Sequence, residues 1–88
     1  MTLFSEKVWK IVAEIPAGKT LTYKEVAKMA GNDKASRAVG WILASNINPQ
    51  KYPCHRVVRS DGRIGGYRWG IKRKKKLLEK EGFKFDKI

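Results

Sequence analysis

Cysteine and histidine are almost missing from this chain. There is one of each, Cys54 and His55, side by side in "YPCHRVV". A lone cysteine excludes an internal disulfide. One Cys and one His also cannot furnish the four ligands of a structural zinc site. No apolar run is long enough to cross a bilayer. Charges interrupt the N-terminal "MTLFSEKVWKIV", so no signal peptide is expected. No internal repeat or linker-like stretch divides the 88 residues, and 1–88 reads as a single domain with a small core. Acids are scarce as well: eight Asp and Glu stand against 20 Lys and Arg, a net charge of +12. A charge that large costs self-repulsion and implies a polyanionic partner, with nucleic acid ahead of an anionic membrane surface. Hydrophobic residues at 42% still suffice for a folded core.

What is present reads mainly as helix. Phe4, Val8, Ile11 and Ile15 have helical spacing, ended by Pro16-Ala17-Gly18. "TYKE" reads as a capping box, Thr22 as N-cap with Glu25 three residues on. The helix it opens carries Val26, Met29 and Ala30 and is stopped by Gly31. After the tight turn "GNDK", Ala35, Ala38, Val39, Ile42 and Leu43 mark the buried face of a third helix. Two short helices joined by a Gly-containing turn form a helix-turn-helix pattern. "HRVVRSDGRIGGY" reads as two short strands around a Ser-Asp-Gly turn, a small β-hairpin wing. Gly65-Gly66 marks a close backbone approach or positive φ. A last helix runs from about Ile71 to Glu81, stopped by Gly82. Its "KRKKK" is either a solvated face or a phosphate clamp. The fold expected is a mainly α, winged-helix-like helix-turn-helix domain with a small β-hairpin wing.

Three places carry chemistry. On the third helix Ser36, Gly40 and Ala44 form a strip of small residues at i, i+4, i+8, flanked by Arg37 and Trp41. Gly40 costs about 1 kcal/mol relative to Ala in mid-helix. It therefore marks a close approach, either to a partner or to another helix of the domain. Cys54 reads as buried filler, redox sensor or nucleophile, buried filler being the commonest. Neighbouring side chains rarely face each other, so direct Cys54–His55 contact needs a bent backbone or a bridging water. A thiolate is the working nucleophile, and a nearby base favours it. Glu81 lies at a helix C-terminus, where the dipole disfavours an anion. It sits four residues after Leu77 and three after Leu78, on the core side. It is either a functional contact, such as a histidine orienter, or an exposed Glu paired with a lysine.

Taken in order, "LTYKEVAKMAG", "KASRAVG", "SNINPQKYPCHRVV", "DGRIGGY" and "KKLLEKEG" resemble the C-terminal domain of O6-alkylguanine–DNA alkyltransferases, the methylated-DNA–protein-cysteine methyltransferases. The resemblance runs from about Phe4 to Gly82. It implies a helix-turn-helix that enters the minor groove. It implies that Arg37 is the arginine finger filling the stack after guanosine is flipped out. Tyr23 would crowd the phosphate and reach the base, and Asn46 would tie the recognition helix to the active-site loop. Ser36, Gly40, Trp41 and Ala44 would lie at the DNA. Cys54 would be the alkyl acceptor, with His55 acting on the thiol through a water and Glu81 orienting His55. The carbonyls of Cys54 and Val57 would accept from the guanine amino group. Tyr67 and the backbone of Arg68 would border the base pocket.

The resemblance further implies single-turnover repair of double-stranded DNA containing O6-alkylguanine. No cofactor, metal or membrane partner is expected. A monomer in the cytoplasm, nucleoid-associated in a prokaryote, is expected, with other repair proteins as further partners. The N-terminal domain of many relatives has no counterpart in these 88 residues, and no Pro directly follows Asn46. Trp69, large for its position, is expected to stand beside the pocket and exclude bulky alkyl groups. The alternative is an alkyltransferase-like damage-binding module that recruits other repair factors; such modules usually carry Trp where this chain has Cys54. An inert Cys54 in a general basic nucleic-acid binder is the third reading.

Overall fold

The structure, a computed structural model, describes residues 3–61 and 63–83. Within them the chain is mainly helical. Helix α1 spans Leu3–Ala13, strand β1 Leu21–Thr22, α2 Tyr23–Met29, α3 Ser36–Ala44, strand β2 Val57–Val58 and α4 Ile71–Lys80. A single 3-10 turn, Cys54–Arg56, leads into β2.

The helix boundaries follow local chemistry. Thr22 caps α2: its hydroxyl accepts from the Glu25 amide at 3.0 Å, and the Glu25 carboxylate accepts from the Thr22 amide at 2.9 Å. Two orphan donors of the first turn are thereby satisfied, worth roughly 1 kcal/mol for the cap. Gly31, at φ +100°, closes α2, with the Asn32 amide bonded to the Ala27 carbonyl and the Gly31 amide to that of Lys28. Gly82 closes α4 likewise, the Phe83 amide reaching the Leu78 carbonyl. Both are αL closures that a Cβ would strain.

Helices α1, α2 and α3 pack around Val8, Val12, Val26, Ala27, Ala30, Val39 and Leu43, and the core continues through Ile15 to Cys54 and Val57. Each fully buried valine contributes on the order of 1.5 kcal/mol. Val8 and Val12 are the buried residues of α1, so Val8→Ala or Val12→Ala would loosen it most directly. One helical position differs from expectation: Ala38 is exposed on α3. On α2, Val26 and Ala27 are buried and Met29 is exposed.

The expected β-hairpin wing is not formed among the described residues. Val57–Val58 pairs in parallel with Leu21–Thr22, Leu21 opposite Val57 and Thr22 opposite Val58. The segment after β2 instead turns back through one backbone bond, Arg59 amide to Arg63 carbonyl at 3.1 Å. The ladder that does form joins β2 to β1, which the capped start of α2 delivers alongside it. Gly62, the last residue of the expected Ser-Asp-Gly turn, lies outside the described residues. Among the described residues no helix is long and apolar enough to cross a membrane.

Candidate active site

A groove opens between α2, α3 and the 59–68 loop. Its walls include Tyr23 from α2, Ser36, Arg37, Gly40, Trp41 and Ala44 from α3, and Tyr67 and Arg68 from the loop; Cys54 lies at its floor. Lys24, Arg59 and Arg63 line it too, with Asp61 the one acid in its wall. The groove is thus strongly positive. A Cβ built on Gly40 would meet nothing within 4 Å, so Gly40 faces open space and not another helix of the domain. Gly65, at φ +80°, is different: a Cβ there would stand 3.1 Å from the Tyr23 ring, so glycine is required by both backbone and neighbour. The Tyr23 hydroxyl donates to the Gly66 carbonyl at 3.4 Å.

Cys54 is buried. The Asn46 amide, also buried, donates from Nδ2 to Cys54 Sγ at 3.2 Å and to the Tyr52 carbonyl at 2.8 Å. Asn46 Oδ1 accepts from the Asn48 amide at 2.9 Å, and the Arg68 guanidinium holds the Asn46 carbonyl at 2.9 Å. This asparagine therefore clamps the end of α3 to the loop that carries the thiol. Burial pushes the Cys54 thiol up, while the Asn46 hydrogen bond and the Lys74 charge pull it back. Burial also raises Tyr23 and Tyr67, each with a smaller contribution from Cys54.

His55 turns away from the groove. Its Nε2 lies 3.0 Å from Glu81 Oε2, and its ring stands edge-on to Tyr67 with centroids 6.4 Å apart. Glu81 is the C-cap residue of α4, as disfavoured for an anion as the sequence suggested. The compensation is Arg56, whose Nε and Nη2 grip both carboxylate oxygens at 2.9 and 2.7 Å while Nη1 donates to the Ile15 carbonyl at 2.8 Å. The Arg56 fork, helped by His55, holds the Glu81 carboxyl down to about 2. An ionised carboxylate can only accept, so Nε2 of His55 carries a proton and, in the neutral ring, Nδ1 is the lone-pair nitrogen. Nδ1 is buried without a protein hydrogen-bond partner.

Cys54 and His55 thus make no direct bond, and the exposed-Glu reading of Glu81 is replaced by a buried-side ion-pair cluster. The carbonyl of Cys54 accepts from the Val57 amide, and that of Val57 from Lys74 Nζ at 2.6 Å. Trp69 is not among the residues that line the Cys54 groove. It packs on Tyr67, ring centroids 5.2 Å apart, and lines a second depression with His55, Arg56 and Arg73. It therefore does not narrow the Cys54 groove as expected. Two site residues were not singled out in the sequence. Arg56 had one signal, its position beside His55 in a chain with an unaccounted Glu81. Lys74 was hidden in "KRKKK", but it lies four residues before Leu78 on the apolar face of α4. Among the described residues no group of three or more His, Cys, Asp or Glu side chains gathers to hold a metal.

The arrangement is that of a mainly helical domain built around one buried cysteine at the floor of a basic groove. Residues 3–83 match the model of the 6-O-methylguanine DNA methyltransferase, DNA binding domain. The chain is 51% identical over 83 residues to the methylated-DNA–protein-cysteine methyltransferase of Methanosarcina acetivorans, covering 92% of this chain and 52% of that protein. It is 46% identical over 80 residues to the bifunctional transcriptional activator/DNA repair enzyme Ada of Escherichia coli, covering 91% of this chain and 23% of that protein. Its fold superimposes on Mycobacterium tuberculosis OGT in complex with DNA with a TM-score of 0.86 and 43% identity, covering 92% of this chain and 49% of that one. Schizosaccharomyces pombe Atl1, in complex with damaged DNA containing O6-carboxymethylguanine, matches with a TM-score of 0.84 and 36% identity, covering 96% and 80%. The chain belongs to the 6-O-methylguanine DNA methyltransferase family, of which it carries the DNA-binding domain. It spans from about a quarter to about half the length of the curated relatives described.

Proposed function

We propose that this domain repairs double-stranded DNA by moving an alkyl group from O6 of a flipped-out guanine to Cys54, once per molecule. The observation that carries this reading is the buried Cys54 at the floor of a positive groove, with Asn46 on its sulfur. In the step proposed, the thiolate attacks the alkyl carbon in line, the C–O6 bond breaks, and the electron pair leaves with guanine. The product is a neutral thioether. His55 accepts the thiol proton through a water at Nδ1, the buried nitrogen without a protein partner, which is where a bridging water belongs. Glu81 and Arg56 fix the imidazole orientation from behind. Tyr23 hands a proton to the leaving base.

On the DNA side, α3 lies in the minor groove. Ser36, Gly40 and Ala44 allow close approach, Arg37 fills the vacated stack and Trp41 lies against the duplex. The carbonyls of Cys54 and Val57 accept from the guanine amino group, and Tyr67 and the Arg68 backbone border the base. The Arg59–Arg63 turn takes the place of a wing at the groove rim. Residues 1–88 act as one domain.

The second reading is a damage-binding module without transfer; Schizosaccharomyces pombe Atl1, seen in complex with damaged DNA, is 36% identical to this chain. Against it stand the thiol and its supporting cluster. Incubating the protein with duplex DNA carrying radiolabelled O6-methylguanine separates the two. Label on the wild type and none on Cys54→Ala supports transfer; binding without label supports the module.

A further inference from the structure

Lys74 is the largest fully buried side chain in the described structure, with 0% exposure. Lysine is almost never buried so completely unless it is paired. Here no carboxylate meets it among the described residues. Nζ donates to the carbonyls of Val57 at 2.6 Å and Gly66 at 2.9 Å, and lies 5.7 Å from the centre of the Tyr23 ring. Its neighbours in "KRKKK" are unlike it: Lys72, Arg73 and Lys76 are exposed and Lys75 is half-buried. Carbonyl dipoles and a ring face soften a buried charge but do not neutralise it. Loss of solvent accordingly lowers Lys74 to about 8.

The two carbonyls locate the cation. Val57 is the first residue of β2, and Gly66 is the residue whose carbonyl also receives the Tyr23 hydroxyl. Lys74 therefore fastens the strand after the 3-10 turn to the loop on the groove wall, beneath Tyr23. The ionisable groups set around Cys54 are Lys74 from α4, Tyr23 from α2 and Tyr67 from the loop before α4. His55, next in the chain, is turned to Glu81. Of those three groups Lys74 is the cation, and the coupling is mutual. Lys74 draws the thiol down, and Cys54 draws the lysine up.

We infer that Lys74 is a positioning residue of the Cys54 site: its buried ammonium ties Val57, three residues after Cys54, to Gly66 on the groove wall, and its positive charge favours the thiolate over the thiol. The placement rests on the transfer reading only for its purpose, since thiolate formation can be followed without DNA. Two carbonyl bonds do not repay burying a cation in a purely structural role, because a methionine of similar length would pack there without desolvating a charge.

The test is the pH profile of Cys54 alkylation by iodoacetamide in the full chain, for wild type, Lys74→Met and Lys74→Arg. Lys74→Met is expected to move the midpoint up by about one pH unit or more, and Lys74→Arg to return it toward wild type. A folded Lys74→Met with the wild-type midpoint overturns the inference. Should Lys74→Met not fold, Lys74→Gln decides in its place: its midpoint should rise as well, and a wild-type midpoint overturns the inference. Label transfer from O6-methylguanine DNA is measured in parallel. A wild type with the predicted alkylation behaviour but no label leaves Lys74 in place and removes the transfer reading.

Discussion

Asn46 and Cys54 are eight residues apart in the chain and 3.2 Å apart from amide to sulfur. That bond joins the end of α3 to the residue we propose as acceptor, so helix placement and thiol chemistry share one contact. An N–H donor favours the thiolate over the thiol. Removing it with Asn46→Ala should raise the midpoint of Cys54 alkylation by about one pH unit, the worth of one charge-assisted hydrogen bond. Iodoacetamide rates across pH check this, and an unshifted profile in a folded variant would separate Asn46 from the thiol.

Glu81 carries the acid dependence. Its carboxyl is held at about 2, first by the Arg56 fork and then by His55. Its folded value lies below the unfolded one, near 4.3. The stability it contributes is therefore complete above that unfolded value and lost as pH falls toward 2. Glu81→Gln should cost about 2 kcal/mol at pH 7, and the gap from wild type should close between roughly pH 4.5 and 2. Urea unfolding at a series of pH values measures it. A gap that stays constant with pH would contradict the ion-pair account.

Much of this arrangement could be read from sequence, and the failures have physical causes. The capping box at Thr22 and Glu25 and the glycine stops at Gly31 and Gly82 are local rules, satisfied by atoms within a few residues, and the structure contains them. Turn chemistry points to a β-hairpin, whereas the ladder in the structure joins β2 to β1, 36 residues apart at Leu21 and Val57, a pairing that no local rule reveals. Glu81 looked anomalous because its partner Arg56 lies 25 residues away. Lys74 was invisible inside a basic run because charge patterning says nothing of which lysine the helix turns inward. Its register with Leu78 did.

Arg37 tests the DNA side. It projects from α3 into the basic groove, exposed and without a structural role in the core. Arg37→Ala should slow transfer by about tenfold or more, while the slope of log Kd against log salt on undamaged duplex falls by no more than about one. Fluorescence-anisotropy titrations and single-turnover assays give both numbers. Collapse of the undamaged-duplex affinity would make Arg37 a phosphate anchor instead.

Trp41 is 78% exposed on the same helix, an aromatic ring in a positive groove. In a Trp9→Phe, Trp69→Phe background its fluorescence should be quenched by saturating duplex, and Trp41→Ala should weaken binding by about tenfold, the scale of one stacking contact. Unchanged emission at saturation would place Trp41 outside the interface.

The central claim is covalent, and mass spectrometry reads it directly. The wild-type protein is incubated with excess duplex containing O6-methylguanine, then measured intact and after digestion. Transfer predicts one added methyl group per chain, located on the peptide containing Cys54, with no further gain on longer incubation. An unmodified protein recovered from a duplex it demonstrably binds would contradict transfer and leave this domain as a reader of damage.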